Sequence, residues 1–270
     1  MTDRESHLLL LLSDSNLPTG SFVASSGLES FLTHGFGAGS ANKLDLVTTF
    51  VRDSLSTYAP SALPFVSDAY MTTLRLEETD ESQILADLET IDALYESMTL
   101  NHVARRASAA QGVALLTLYS KGFSRPPNSS GTETAAEKLL SALIASYKRR
   151  VRQSDGSAFG HLPICWGVIC AALGLSLERT QHLHLFLHAR ALLSAAVRLN
   201  AIGPYAAQQL LLHTVNGFVE AQLSKCARLR ARAGGNKDWD ETQDGPTNTW
   251  PLGELLAARH DLQHSRIFNS

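Results

Sequence analysis

The 270-residue chain is short of charge. Only 18% of its residues are Asp, Glu, Lys or Arg, and 23 basic against 26 acidic side chains leave a net charge of −3. That balance offers no general attraction for nucleic acid or for an anionic membrane surface. Cysteine is scarcer still. Cys165, Cys170 and Cys226 make an odd count without paired spacing, which suits a reducing, cytoplasmic compartment better than a disulfide framework. No apolar run approaches the ~18–20 residues that span a bilayer. The leucines of "HLLLLLS" (7–13) make too short a run for the apolar region of a signal peptide. Nucleotide signatures are missing too: there is no G-x-x-x-x-G-K-[ST], and the closely spaced glycines of "GFGAG" (35–39) follow a helical pattern, not a strand. A G-x-S-x-G elbow is also absent. With no nucleophile, base and oxyanion donor assembled by any motif, neither a familiar enzymatic mechanism nor a bound cofactor is expected.

What the chain does have is apolar spacing at three and four residues. Leu44, Val47, Val51, Leu55 and Tyr58 share one helical face, and Asp80 is placed to cap a helix carrying Leu85, Leu88, Ile91, Tyr95 and Met98. Further helices are expected over 62–78, 99–121, 133–152, 163–174, 177–200 and 204–232, the last opened by Pro204. Alternating strand patterns are missing. The fold class is therefore all-α, one domain over 1–270 built from roughly ten helices. Two polar, Pro/Gly-rich stretches, 124–134 and 233–249, bury too little to offset their ordering entropy and are expected to be flexible insertions.

"SDSNLPTGSFVASSGLES" (13–30) concentrates turn chemistry between apolar runs. Its spacing predicts a helix that stops before Pro18, a turn at Gly20, and a new helix from about Ala24 to Thr33. Gly27 would then lie inside a helix at a cost of ~1 kcal/mol relative to alanine, which points to a close helix crossing or to contact with another chain. Among ten histidines, His184 and His188 stand four apart on one helical face, as do His260 and His264. Such a pair can chelate a divalent ion, but neither pair has a carboxylate at the HExxH position or an evident third ligand. His184 and His188 are thus weak metal candidates. The run "YKRRVR" (147–152) reads as a solvated helix end rather than a nucleic-acid site.

Four segments, in order, carry a family resemblance. They are "LLLLLSDSNLPTGSFVASSGLES" (8–30), "GHLPICWGVICAALGL" (160–175), "AAVRLNAIGPYAAQQLL" (195–211) and "LLAARHDLQHSRIFNS" (255–270). Together they resemble the UreF family of urease accessory proteins, with "GPYAA" closer to its eukaryotic branch. The resemblance implies an all-helical, non-catalytic subunit, itself a homodimer or dimeric within its complex. Its implied partners are a UreD/UreH-like scaffold and a UreG-like GTPase, the assembly delivering nickel to apo-urease. Matching the motifs residue by residue marks Gly20, Phe22, Glu29, His260, Arg266, Phe268 and Ser270 as partner-binding, and Pro18, Gly27, Leu28, Gly160, His161 and Gly203 as structural. Pro18, Gly20 and Gly203 are expected to set backbone turns, and Phe22 and Leu28 to enter the core. Residues 266–270 are expected to form an exposed tail, loosely held until a scaffold binds Arg266 and Phe268. Two other readings remain open at this point: an all-α metal-dependent enzyme using His184 and His188, and a helical interaction scaffold unrelated to urease.

Overall fold

The computed structural model describes residues 3–18, 22–35, 42–126, 134–153, 158–232, 237–248 and 250–269. Gly20, Ser270 and parts of both polar stretches lie outside the described residues. Among the described residues there is no strand, in agreement with the all-α expectation. The α-helices are α1 (Asp3–Leu12), α2 (Leu28–Thr33), α3 (Lys43–Leu74), α4 (Glu81–Met98), α5 (His102–Leu118), α6 (Ala135–Gln153), α7 (Leu162–Leu173), α8 (Leu177–Arg198), α9 (Pro204–Leu210), α10 (Asn216–Cys226), α11 (Glu241–Asp244) and α12 (Pro251–His260).

Several helix ends follow from local chemistry. Asp80 accepts the amide of Ser82 at the start of α4. Asn101 does the same for Val103 and Ala104 at the start of α5. Pro204 occupies the first position of α9. The spacing failed at α3. Two helices, over 44–58 and 62–78, were expected, but one helix of 32 residues runs straight through Pro60 and Pro64. Pro64 has no amide hydrogen to give the Pro60 carbonyl, which would normally end or kink the helix. The backbone amide of Thr247 donates to that carbonyl instead, at 3.2 Å. A partner 187 positions along the chain (247 minus 60) thus replaces the missing helical bond.

α3 traverses two hydrophobic clusters. One gathers Phe65, Tyr95, Tyr147 and Trp166; the other gathers Phe50, Leu185, Leu193, Leu256 and Phe268. The first depends on close approach of α5 to the turn before α7. A Cβ built on Gly112 would lie 2.1 Å from the carbonyl oxygen of Gly160, so only glycine fits there. The expected helix over 204–232 also ends early, because α10 stops at Cys226 and the chain turns away. Asp68 holds the turned segment by accepting the amides of Ala231 (2.9 Å) and Arg232 (3.2 Å). Within the second polar stretch, Asp240 caps the single turn of α11. No helix among the described residues is long and apolar enough to cross a membrane.

Candidate interaction site

Three of the four motif segments, far apart in sequence, meet at one end of the second cluster. The first arrives through a glycine. Ser26 and Gly27 both adopt positive φ (50° and 89°), and Gly27 is the N-cap of α2 rather than part of a helix interior. The cost expected of a mid-helix glycine does not arise; what the position requires is left-handed backbone. The helix starts at Leu28, four residues later than the spacing suggested, and Leu28 is fully buried as expected. The next residue, Glu29, is buried as well, and its carboxylate has to find donors.

It finds them in the C-terminal segment. Glu29 Oε1 accepts the amide of Ile267 at 2.6 Å, and Oε2 that of Phe268 at 3.2 Å. His260, fully buried at the end of α12, has its Nε2 3.2 Å from the Phe268 carbonyl oxygen. A carbonyl can only accept, so Nε2 carries the proton and Nδ1 is left as an acceptor, with no partner among the described residues. Burial depresses the His260 pKa, which favours this neutral form. The Asn269 amide donates to the Val23 carbonyl at 2.7 Å. The Phe268 side chain is only 2% exposed and belongs to the second cluster. The expectation of a loosely held tail is therefore overturned for residues 266–269. Its apolar ring and two backbone amides satisfy a pocket and a buried carboxylate already present in this chain.

The third segment contributes Arg198, the last residue of α8. Its guanidinium carbon lies 4.1 Å from the ring centroid of Phe22 and 4.3 Å from that of Phe268, so the cation contacts both rings. Arg198 also donates to the Phe22 carbonyl. Phe22 itself is 64% exposed, against its expected place in the core. The ring lies against the cation at the surface, where it leaves apolar area uncovered. The turn after α8 is made by Asn200 at φ 52°, with the Ala201 amide reaching back to the Ala196 carbonyl. Gly203, expected to set that turn, has an ordinary φ of −79° and open space where a Cβ would go. No glycine is required there.

Beside this junction, Asp261 receives a bidentate contact from Arg106 (3.0 and 3.2 Å) and a contact from Arg266 (2.5 Å). The Arg106 hydrogen bonds, followed by those of His102 and Arg266, hold its carboxyl well below the usual range. Arg106 also donates to the Asn269 carbonyl at 3.2 Å, so α5 helps to seat the tail. Between α5 and residues 16–18 and 22–23 lies a groove of about 700 Å³, lined by Leu17, Pro18, Phe22, Arg106, Ala110 and Arg266 among others.

The remaining motif, at 160–175, lies elsewhere and serves packing. Fully buried Asp92 accepts Tyr147 Oη (3.0 Å) and the amides of Phe159, Gly160 and His161 (2.7, 2.7 and 3.1 Å). Gly160 turns with φ 73°, and His161 Nε2 lies 2.8 Å from Glu96. The two metal candidates, His184 and His188, each meet a hydroxyl from α3. The Tyr58 hydroxyl lies 2.9 Å from His184 Nε2, and the Ser54 hydroxyl 2.9 Å from His188 Nε2. The Tyr58 ring stacks on both imidazoles. Burial pushes the two histidines down to about 3 and about 4, so both are neutral at pH 7. They line a cavity of about 220 Å³ under α12. No group of three His, Cys, Asp or Glu placed to hold a metal ion occurs among the described residues. His264 does not join His260 in any such group.

Sequence reasoning missed Arg106, Arg198 and Asp261. The motif match did not mark them, although Arg198 stands inside the quoted 195–211 segment and Asp261 inside the quoted 255–270 segment.

Comparison with known proteins agrees with the motif reading. Residues 43–215, more than half of the chain, match the family model described as UreF. The chain is 42% identical to "Urease accessory protein 6" of Cryptococcus neoformans var. grubii, covering 99% of this chain and 98% of that protein. It is 34% identical to the "Uncharacterized urease accessory protein UreF-like" of Schizosaccharomyces pombe over the whole of both chains. It is 31% identical to "Urease accessory protein F" of Oryza sativa subsp. japonica, covering 95% of this chain and 82% of that protein.

Proposed function

The chain belongs to the UreF family of urease accessory proteins, and on that premise we propose that it is a non-catalytic subunit of urease maturation. In this reading it couples a nickel-carrying, UreG-like GTPase and a UreD/UreH-like scaffold to apo-urease in the cytoplasm, with nickel as cargo. One observation carries the proposal beyond the family name. Residues of three family motifs converge on a junction between the two ends of the chain that presents an exposed surface: Phe22 (64% exposed), Val23 (54%) and Ile267 (63%), beside the Arg266 guanidinium. A junction of this kind, apolar with arginine and lacking an assembled nucleophile and base, suits protein docking. The partner-binding role assigned from sequence to the tail passes to this surface, since Phe268 is spent inside the chain. Glu29 and His260 then hold the surface in place and do not touch a partner.

Homodimerisation is part of the proposal. Leu10 (75% exposed), Tyr205 (87%) and Leu212 (70%) leave apolar area on α1 and around α9 that a symmetric interface could cover. The test of the reading is co-purification of the full chain with its scaffold and GTPase, followed by activation of apo-urease with nickel. A chain that captures neither partner and leaves activation unchanged when omitted sinks the proposal.

A further inference from the structure

We propose that the groove between α5 and residues 16–18 and 22–23 receives an acidic, apolar segment of a partner protein, its carboxylate drawn to Arg106 and Arg266. The inference rests on the reading that this chain docks partners in urease maturation, and adds what the docking segment must look like.

The floor of the groove is apolar and low. Ala107, Ala110 and Ala114 follow one another at three and four residues, so they lie on one face of α5 and let another backbone come close. Its wall is Leu17, Pro18 and the exposed ring of Phe22. At one end the lining becomes charged, and the charges do not balance. Arg106 and Arg266 share the single carboxylate of Asp261, leaving one positive charge in excess. Arg198 lies behind Phe22, in the junction that also holds the buried Glu29 carboxylate. It contacts carbonyls and rings, and no salt bridge to it occurs among the described residues; its Nη2 is buried without a partner.

The sign of this excess matters because the whole chain carries −3. An acidic partner gains no general attraction from a chain of net negative charge, so arginines placed at one end of the groove supply orientation as well as contact. The arginines remain reachable, with side chains 52% (Arg106) and 39% (Arg266) exposed. A single-stranded nucleic acid fits less well, since Phe22 is the only aromatic ring in the lining, where such sites stack successive bases on several rings.

The experiment measures affinity of the full chain for its purified scaffold and GTPase at low and high salt. Ala110→Glu places a carboxylate on the exposed floor, and Arg106→Gln removes one guanidinium. Both positions lie outside the core, and thermal melts confirm that each variant is folded. The expected result is a loss of about tenfold or more in affinity for one partner with each variant. Arg106→Gln should also show a weaker salt dependence than the wild-type chain. Folded variants that bind both partners as the wild type does overturn the groove and leave the proposed function standing. A wild-type chain that binds neither partner overturns both. If Ala110→Glu instead splits a homodimer while partner binding is unchanged, the groove is a self-interface and the proposal is wrong.

Discussion

Glu29 and Phe268 stand 239 positions apart, yet the carboxylate of the first accepts the backbone amide of the second, in a site where both side chains are buried. That bond, with its neighbour to Ile267, closes the N-terminal motif onto the C-terminal one. The exposed surface at Phe22, Val23 and Arg266 lies at this closure, where the Asn269 amide also donates to the Val23 carbonyl.

Glu29→Ala should therefore detach the tail. It leaves two backbone amides without their acceptor, at about 1–3 kcal/mol each where they stay buried. Denaturant unfolding should show the loss. Limited proteolysis should cut the variant near residue 265 before the rest of the chain. Glu29→Gln, which keeps an acceptor oxygen, should recover part of the stability. An unchanged digestion pattern would mean that the tail is held mainly by Phe268.

Phe268→Ala should destabilise the fold by about 3–5 kcal/mol, as for other large core aromatics, because the ring is part of the second cluster. Truncation after Ser265 should lower the melting temperature for the same reason. A truncated chain that melts like the full one would restore the dispensable tail expected from sequence.

Acid should unfold the protein partly through His184 and His188. Their folded pKa values, depressed by burial to about 3 and about 4, lie below the unfolded value of 6.5. The unfolded state thus binds more protons, so this stability is fully present above pH 6.5 and drains away as pH falls toward 4. Asp68 works in the opposite direction. Burial raises it to about 6, so its contribution favours folding as pH falls through 6 toward the usual carboxylate range. Urea midpoints between pH 4 and pH 7 read the sum (approximate limits set by these pKa values). The double variant His184→Gln/His188→Gln should flatten the decline on the acid side, and Asp68→Asn should steepen it.

Gly112→Ala should cost about 3 kcal/mol, at the upper end for overpacking, since the new methyl would meet the Gly160 oxygen and the His161 backbone. Gly203→Ser is the matched control. The position has open space and caps α9, so serine should be neutral or mildly stabilising by thermal melt. Equal losses at both glycines would contradict the packing described for α5 and α7.

Short-range chemistry was legible in the sequence and long-range pairing was not. The three-and-four spacing of apolar residues, the Asp80 cap and Pro204 at a first turn all act within one or two helical turns, so the all-α fold and several helix ends could be read directly. The four ordered motifs named the family and nominated Glu29, His260, Arg266 and Phe268. Sequence could not say that Glu29 would hold Phe268 inward, because a buried carboxylate and the amides that satisfy it need not be neighbours in the chain. It could not carry α3 through Pro60 and Pro64, since the donor that replaces the missing bond comes from Thr247. Nor could it turn His184 and His188 from a chelating pair into neutral partners of Tyr58 and Ser54, 126 and 134 residues away. Spacing states which groups share a face; only tertiary packing decides what each face meets and whether water is left to compete.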